Sequence, residues 1–381
     1  MKIRTLLTVM SLLSALPSSA QLGADGYYRI QNTNTTRYVK LIDDKAEVDL
    51  NTTSVDLGAL QTVMYFDNVV SDASSVIYLS HIKGDEYNIV CQGLDMAKIV
   101  GFGLRFQKLS NGHYVAFQEQ KGLRKILNDL RGTSLYGAVL TNDATCKDWD
   151  ILPINDDNYF GIIPDIELGG KYYKSFYSDF AFTFKSSGMK AWYVKQVDSK
   201  NGICVVEEIT GVVPAATPVF IECSSKNPSQ NRLDLKLVSV TAIRDNLLNG
   251  VYFDNSNKKH FNRVDYNKSN MRVLGINADG KLGFVTSQSL LSIPANTCYL
   301  GLSDAPQELV IMLDDEYQAY LDELEKSEEN NKDPEDNAVE QHISDGQAHV
   351  IYGLDGKLMN CPLESLSKGV WIVDGRKFIV Q

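Results

Sequence analysis

The chain has 381 residues, 44% hydrophobic and 22% charged, with a formal net charge of −11. Twelve acids fall within 314–340 beside only Lys326 and Lys332, so that stretch alone carries −10 and the remainder is close to neutral. No basic stripe is left to meet phosphates, which argues against a nucleic-acid partner, and a chain of this length exceeds one ordinary core, so two or three domains are expected.

Residues 1–20 read as a signal peptide. A basic start, Met1-Lys2-Ile3-Arg4, precedes the apolar run Leu6 to Leu16, and the small residues Ser18 and Ala20 suit a cut after Ala20. The run is shorter than the roughly 20 apolar residues a bilayer span requires. No later run reaches that length, so no transmembrane segment is expected in the mature chain. No Cys sits at the cut to take a lipoprotein anchor. The expected location is therefore exported: extracellular, cell surface or periplasm.

Residues 21–155 form the first expected domain. Tyr27–Ile30, Arg37–Leu41, Ser75–Leu79, Tyr87–Val90 and His113–Phe117 are strand-like runs separated by polar or Gly-bearing turns. Val55, Leu57, Leu60, Val63 and Met64 fit a short amphipathic helix. Tyr28-x-Ile30-x-Asn32 with Arg37-Tyr38-Val39-x-Leu41 resembles the opening strands of a ricin-type β-trefoil repeat. The stretch Tyr114 to Ile151 is similar to a whole one, through Ile126-Leu127-Asn128-Asp129, Gly137-Ala138-Val139-Leu140 and Lys147-Asp148-Trp149-Asp150-Ile151. Trp149 stands where the family's closing Gln-x-Trp places its core Trp, while Lys147 replaces the Gln that braces the family's site. The resemblance implies a glycan-binding module whose best contact candidates are Asn128, Asp129 and Tyr136.

Residues 156–310 form the second. Val213-Pro214-Ala215-Ala216-Thr217-Pro218-Val219-Phe220 recurs 80 residues later as Ile293-Pro294-Ala295-Asn296-Thr297-Cys298-Tyr299-Leu300. A hairpin precedes each copy. Ala191–Val194 turns through Asn201-Gly202 into Ile203–Val206, and Met271–Leu274 turns through Asp279-Gly280 into Leu282–Val285. Both pairs favour tight turns because each turn residue needs positive φ. Pro214 and Pro294 are expected at the first residue of a strand, where a missing N–H does least harm. Tyr173 to Phe182, Met189-Lys190-Ala191-Trp192 and the two Pro-Ala copies are similar to a family of secreted proteins of Bacteroidetes-type bacteria. That likeness implies a surface role and assigns no chemistry.

Residues 311–348 are expected to be a short acidic helix, striped by Tyr317, Leu321 and Leu324, followed by a flexible linker too polar to bury itself. Its carboxylates lack the order and the Gly of an EF-hand loop. Residues 349–381 read as a three-stranded tail with turns at Asp355-Gly356 and Asp374-Gly375. Lys368-Gly369-Val370-Trp371-Ile372-Val373 resembles the finish of a type IX secretion sorting domain.

No catalytic pattern emerges. Gly132-Thr133-Ser134-Leu135-Tyr136-Gly137 has one residue too many for a nucleophile elbow. Gly101-Phe102-Gly103 lacks the third glycine of a dinucleotide loop. The five His show no metal spacing, and adjacent acids such as Glu207-Glu208 on a strand point to opposite faces. No metal or cofactor is expected. Six Cys allow disulfides, with Cys204 and Cys223 able to meet across neighbouring strands, or buried thiols. The aromatic cluster Tyr172 to Phe182 reads as core or as an exposed platform.

The expected fold class is mainly all-β: a β-trefoil-like N-terminal domain, a duplicated β-hairpin or sandwich-like block, an acidic linker and a short tail. The function expected is non-catalytic binding or adhesion toward a glycan or a host or envelope protein. The alternatives are an envelope scaffold subunit or a glycan-active hydrolase drawing distant carboxylates together.

Overall fold

The computed structural model describes residues 22–41, 54–56, 60–62, 69–120, 122–129, 138–142, 144–254, 263–303, 306–330, 350–354, 356–362 and 365–380. The signal-peptide region, Tyr136, residues 331–348 of the acidic stretch and the first residue of the tail lie outside them. The fold is all-β in class, with two α-helices among the described residues. The chain divides into two compact units, Met1–Asp314 and Asp315–Gln381, so the boundary expected at 155/156 falls inside the first.

The first unit opens with β1 (Gly26–Asn32), β2 (Val39–Leu41), β3 (Ser54–Asp56), β4 (Leu60–Thr62), β5 (Ile77–Lys83), β6 (Glu86–Cys91), β7 (Leu94–Asp95), helix α1 (Met96–Val100), β8 (Leu104–Lys108), β9 (Tyr114–Gln120), β10 (Leu123–Asp129), β11 (Ala138–Thr141) and β12 (Asp148–Pro153). Burial alternates along β6, where Tyr87, Ile89 and Cys91 point inward, because a pleated strand sends successive side chains to opposite faces. Strand β12 pairs with both β1 and β9, so β1, β5, β6, β8, β9 and β12 close into a six-stranded ring. Closure leaves those six strands without a free edge. Ile30, Leu79, Phe106, Leu127 and Trp149 fill its core, and the Trp149 indole N–H donates to the Leu127 carbonyl.

Of the helix expected over Val55 to Met64, the described residues, 55–56 and 60–62, are strand; the others lie outside the described residues. Strand β3 pairs with β11 and β4 pairs with β2. A weak helical period over so short a stretch yields to strand partners that supply backbone hydrogen bonds directly.

The unit continues with β13 (Phe160–Gly161), β14 (Ile166–Leu168), β15 (Lys171–Phe176), β16 (Ala181–Phe184), β17 (Lys190–Asp198), β18 (Ile203–Glu208), β19 (Val219–Cys223), β20 (Arg232–Lys236), β21 (Leu248–Val251), β22 (Met271–Ile276), β23 (Leu282–Val285), β24 (Thr297–Gly301) and β25 (Glu308–Leu313). Ten of these make one sheet in the order β14-β15-β19-β17-β18-β25-β23-β22-β24-β21, and β13-β20-β16 make a small separate one. The run β15-β19-β17-β18 is matched on the other side of β25 by β21-β24-β22-β23 in mirrored order. Strand β25 lies parallel to β18 and antiparallel to β23.

Residues 80 apart take the same backbone state in the two halves: Ala216 has φ 54 and Asn296 has φ 56. Val213 and Ile293 are both buried. The prolines do not begin strands as expected. They sit in the turns before β19 and β24, where a fixed φ leads into the positive-φ residue. The hairpins turn through Gly202 and Gly280, both at positive φ.

Helix α2 (Asp314–Asn330), which belongs to the second unit from Asp315 on, continues past Lys326, where the stripe was expected to end, and its three leading acids lie at the positive end of the helix dipole. The tail forms four strands rather than three: β26 (Ile351–Gly353), β27 (Leu358–Met359), β28 (Gly369–Val373) and β29 (Arg376–Val380), ordered β27-β26-β28-β29. Ile351, Leu366 and Val373 are its buried residues.

One side chain fastens the ring to the loop beyond β12. Arg29 on β1 is buried, and its guanidinium donates to the Ser75 hydroxyl (3.3 Å), the Val70 carbonyl (3.3 Å), the Asn158 side chain (2.5 Å) and the Tyr159 carbonyl (3.1 Å). Burial pulls its pKa down to about 10. Arg29→Leu would strand those oxygens, so urea unfolding should show a loss of about 3 kcal/mol. An unchanged midpoint would contradict the bracing role. On β23, a Cβ at Gly283 would overlap the Leu309 carbonyl oxygen. Backbone cannot swing aside as a side-chain tip can, so Gly283→Ala should cost about 2 kcal/mol or more in the same assay.

Candidate functional site

Asn128 and Asp129 close β10, and both are buried. The Asn128 side-chain oxygen accepts from the Thr145 and Cys146 N–H groups at 3.0 and 2.8 Å. The Asp129 carboxylate takes the Arg37 guanidinium, with Nε at 3.0 Å, and the Thr35 hydroxyl. Asn32, at the end of β1, acts likewise: its oxygen accepts from the Asn34 and Thr35 N–H groups, and its amide donates to the Cys146 carbonyl. The structure thus brings Asn128 and Asp129 together with Asn32 as internal braces of loops, which is what buried polar groups ordinarily do.

The aromatic cluster also turns inward. Phe160, Phe176, Phe180 and Phe182 pack at centroid distances of 5.4–6.5 Å, with Tyr173 buried and Tyr172 and Tyr177 half-buried. All six Cys are thiols. Cys204 on β18 and Cys223 on β19 are kept apart by β17, so the disulfide between them does not form. Burial pushes the Cys204, Cys223 and Cys298 thiols up to about 12, which makes them poor nucleophiles. His113 pairs with Asp150 through Nδ1 at 2.5 Å. Among the described residues no three His, Cys, Asp or Glu side chains gather as metal ligands would.

An open groove of about 260 Å³ lies between the start of β1 with the loop after β12 on one side, and β20 with its continuation to Leu237 on the other. Tyr28, Asn155, Asp156, Tyr159, Lys185, Asp234 and Leu237 line it. The loop is shaped locally: the Asn155 side-chain oxygen accepts from the Asp157 and Asn158 N–H groups, both at 2.9 Å. Arg29 grips it from beneath through Asn158 and Tyr159.

The two rings are held in place. The Tyr28 hydroxyl donates to the Ala24 carbonyl at 2.8 Å, and its ring lies so close to Gly26 that a Cβ there would sit 3.2 Å away. The Arg232 guanidinium covers the Tyr159 ring at 4.1 Å. Asp156 pairs with Lys185 and Asp234 with Lys236. The hydrogen bond from Lys185 holds the Asp156 carboxyl below its usual range. Leu237, 55% exposed, leads on to exposed Val238 and Val240. These residues come from positions 28 to 237, so no linear motif could have joined them; the one local sign was the polar, turn-forming run Asn155 to Asn158.

A second polar cluster sits where the β6–β7 turn meets the ten-stranded sheet. Gln92 and Gly93 turn at φ 55 and 73. The Gln92 amide donates to Asn296 (3.2 Å) and to the Tyr252 carbonyl (3.3 Å), and Asn296 returns a bond from its own amide. Tyr177 stacks on Tyr252 at 4.3 Å, over Gly250. The Asp179 carboxylate accepts from the Gly93 N–H at 3.4 Å. Burial pushes Asp179 up to about 6 despite N–H donors at Gly93 and Gln92, and Asp179 in turn helps burial push Tyr27 up to about 12. Shifted carboxyls gather at functional sites, but this one is tied to backbone inside a packed junction.

No protein family and no curated protein matches the chain.

The Asp179 shift has a defined sign. Its native pKa lies above the unfolded value of 3.8, so its full contribution to stability is present below that value and is lost as pH rises through about 6. Asp179→Asn should therefore raise unfolding stability by about 2 kcal/mol at about pH 8 and change it little at about pH 4. Equal effects at both pH values, by urea titration, would contradict this.

Proposed function

We propose that this chain is an exported, non-catalytic binding or adhesion protein that engages a glycan or a host or envelope protein through the groove beside Tyr28 and Tyr159. The observation that carries this reading is the groove itself: two aromatic rings fixed from one side, an amide, two carboxylates and a lysine turned toward solvent. Sites that orient ligands combine apolar surface with a few placed polar groups in this manner.

The closed six-stranded ring with Trp149 in its core supports a degenerate trefoil as the body of the first domain. The signal-peptide-like start supports export, and the sorting-domain-like tail supports surface delivery. Among the described residues no helix is long and apolar enough to cross a membrane.

The test is retention of the exported chain on immobilised polysaccharides and matrix proteins. Binding to at least one class, weakened by Tyr159→Ala, with no release of reducing ends on incubation, is the expected result. Failure to be retained by any of them would overturn the proposal, and turnover abolished by one Asp or Glu substitution would replace it with a hydrolase.

A further inference from the structure

Resting on the reading of the groove as the binding site, we infer that its ligand is an extended segment of another protein that joins β20 as an added strand. The segment runs antiparallel to β20, in the line of β13, and alternates apolar with uncharged polar residues.

The free edge comes first. Strand β20 is covered by β16 from Leu233 to Lys236, but by β13 at Arg232 and Leu233 alone. The chain before β13 could have continued that cover, and it turns away instead. The Asn155 side chain closes a turn with the Asn158 N–H, while Arg29 and the Leu152 and Pro153 carbonyls hold the Asn158 side chain.

The ladder shows which backbone groups this leaves bare. The Asn231 carbonyl accepts from Ile162 and the Arg232 carbonyl from Lys185, so successive residues address opposite sides. Leu233 and Leu235 therefore address the β13 side. Phe182, opposite Leu235 on β16, bonds its own N–H and carbonyl to Val213. Among the described residues the Leu235 N–H and carbonyl meet no partner, and Leu235 lines the groove. An edge of this kind is a template for a further strand, and the main chain of an extended peptide supplies one.

The alternation follows from the two faces of β20. A residue set opposite Leu235 shares a face with it, and Leu235 packs with Tyr27 and Ile154, all partly buried, against one apolar cluster. That position calls for an apolar side chain. Its neighbours point to the other face, with exposed Asp234. The charges lining the groove are already matched, Asp234 with Lys236 and Asp156 with Lys185, so uncharged hydroxyl side chains suit those positions. Exposed Leu237, Val238 and Val240 continue beyond the strand as apolar surface for the incoming segment to cover.

The test uses the full chain and a library of immobilised heptapeptides, acetyl-Ser-Φ-Thr-Φ-Thr-Φ-Ser-amide, in which Φ is Val, Ile, Leu, Phe or Tyr. At least one member should bind and slow hydrogen exchange at the Leu235 amide about tenfold or more. N-methylation of its Φ residues, which removes the N–H groups facing β20, should weaken binding about tenfold, and N-methylation of the Ser residues should not. Leu235→Pro removes the protein's own donor and should weaken binding by a similar factor. The methylated peptides leave the protein untouched, so they decide the matter even where Leu235→Pro misfolds. Binding that survives Φ methylation, or leaves Leu235 exchange unchanged, would overturn strand addition. Exchange at Leu235 already slow without peptide would overturn it too. Slowing that grows with protein concentration would assign the edge to a second copy, and slow exchange at every concentration to a segment of the same chain. No peptide bound would overturn this inference. The proposed function then stands if retention on polysaccharides or matrix proteins is weakened by Tyr159→Ala, and falls with it if nothing retains the chain.

Discussion

A guanidinium taken out of water needs partners for its nitrogens, and among the described residues each of the three Arg29 nitrogens donates to an oxygen, without a carboxylate at ion-pair distance. Its partners are oxygens from Val70, Ser75, Asn158 and Tyr159, which belong to the segment before β5 and the loop after β12. Desolvating a charge is costly, so those oxygens are held at fixed positions for as long as the arginine is buried. The loop it grips supplies Asn155, Asp156 and Tyr159 to the groove. The shape of the site and the integrity of the ring therefore depend on the same contact.

The larger sheet adds a second constraint. Two four-stranded sets with the same chain order meet on either side of β25, and a single strand cannot present the same direction to both. It runs parallel to β18 and antiparallel to β23. Near-equivalent positions consequently differ in demand: Ile203 faces β25 with a full side chain, while Gly283 passes so close to Leu309 that no Cβ fits. A repeated sequence thus acquires one asymmetric contact, at which glycine is required for space rather than for a turn.

Polar residues in this fold divide by burial. Asn32, Asn128, Asp129 and Asn231 are enclosed and spend their hydrogen-bonding capacity within the fold, whereas Asn155, Asp156 and Asp234 are exposed and able to exchange water for another partner. The residue types are the same in both groups. Only the second group adjoins aromatic surface open to solvent.

Much of the local structure was legible in the residues alone. Alternation along Tyr87–Val90 announced a strand with one buried face, Asn201-Gly202 and Asp279-Gly280 announced tight hairpins, and the 80-residue recurrence announced that one backbone path is used twice. Each of these arises from forces acting within a few residues: pleat, positive φ, turn chemistry. The errors arose where distant partners decide. The described residues of Val55–Met64 became strands because β11 and β2 lay ready to pair with them, while of the two readings open for Tyr172–Phe182, core and exposed platform, packing against Phe160 decided for core. Asn128 and Asp129 were recognisable as polar residues in a trefoil-like repeat, yet their burial by Arg37 and Cys146 was not. Ring closure through β12, the grip of Arg29 and the groove between Tyr28 and Leu237 join residues more than a hundred positions apart. Sequence pattern carries the geometry of neighbours along the chain, and only packing settles which distant surfaces share a wall.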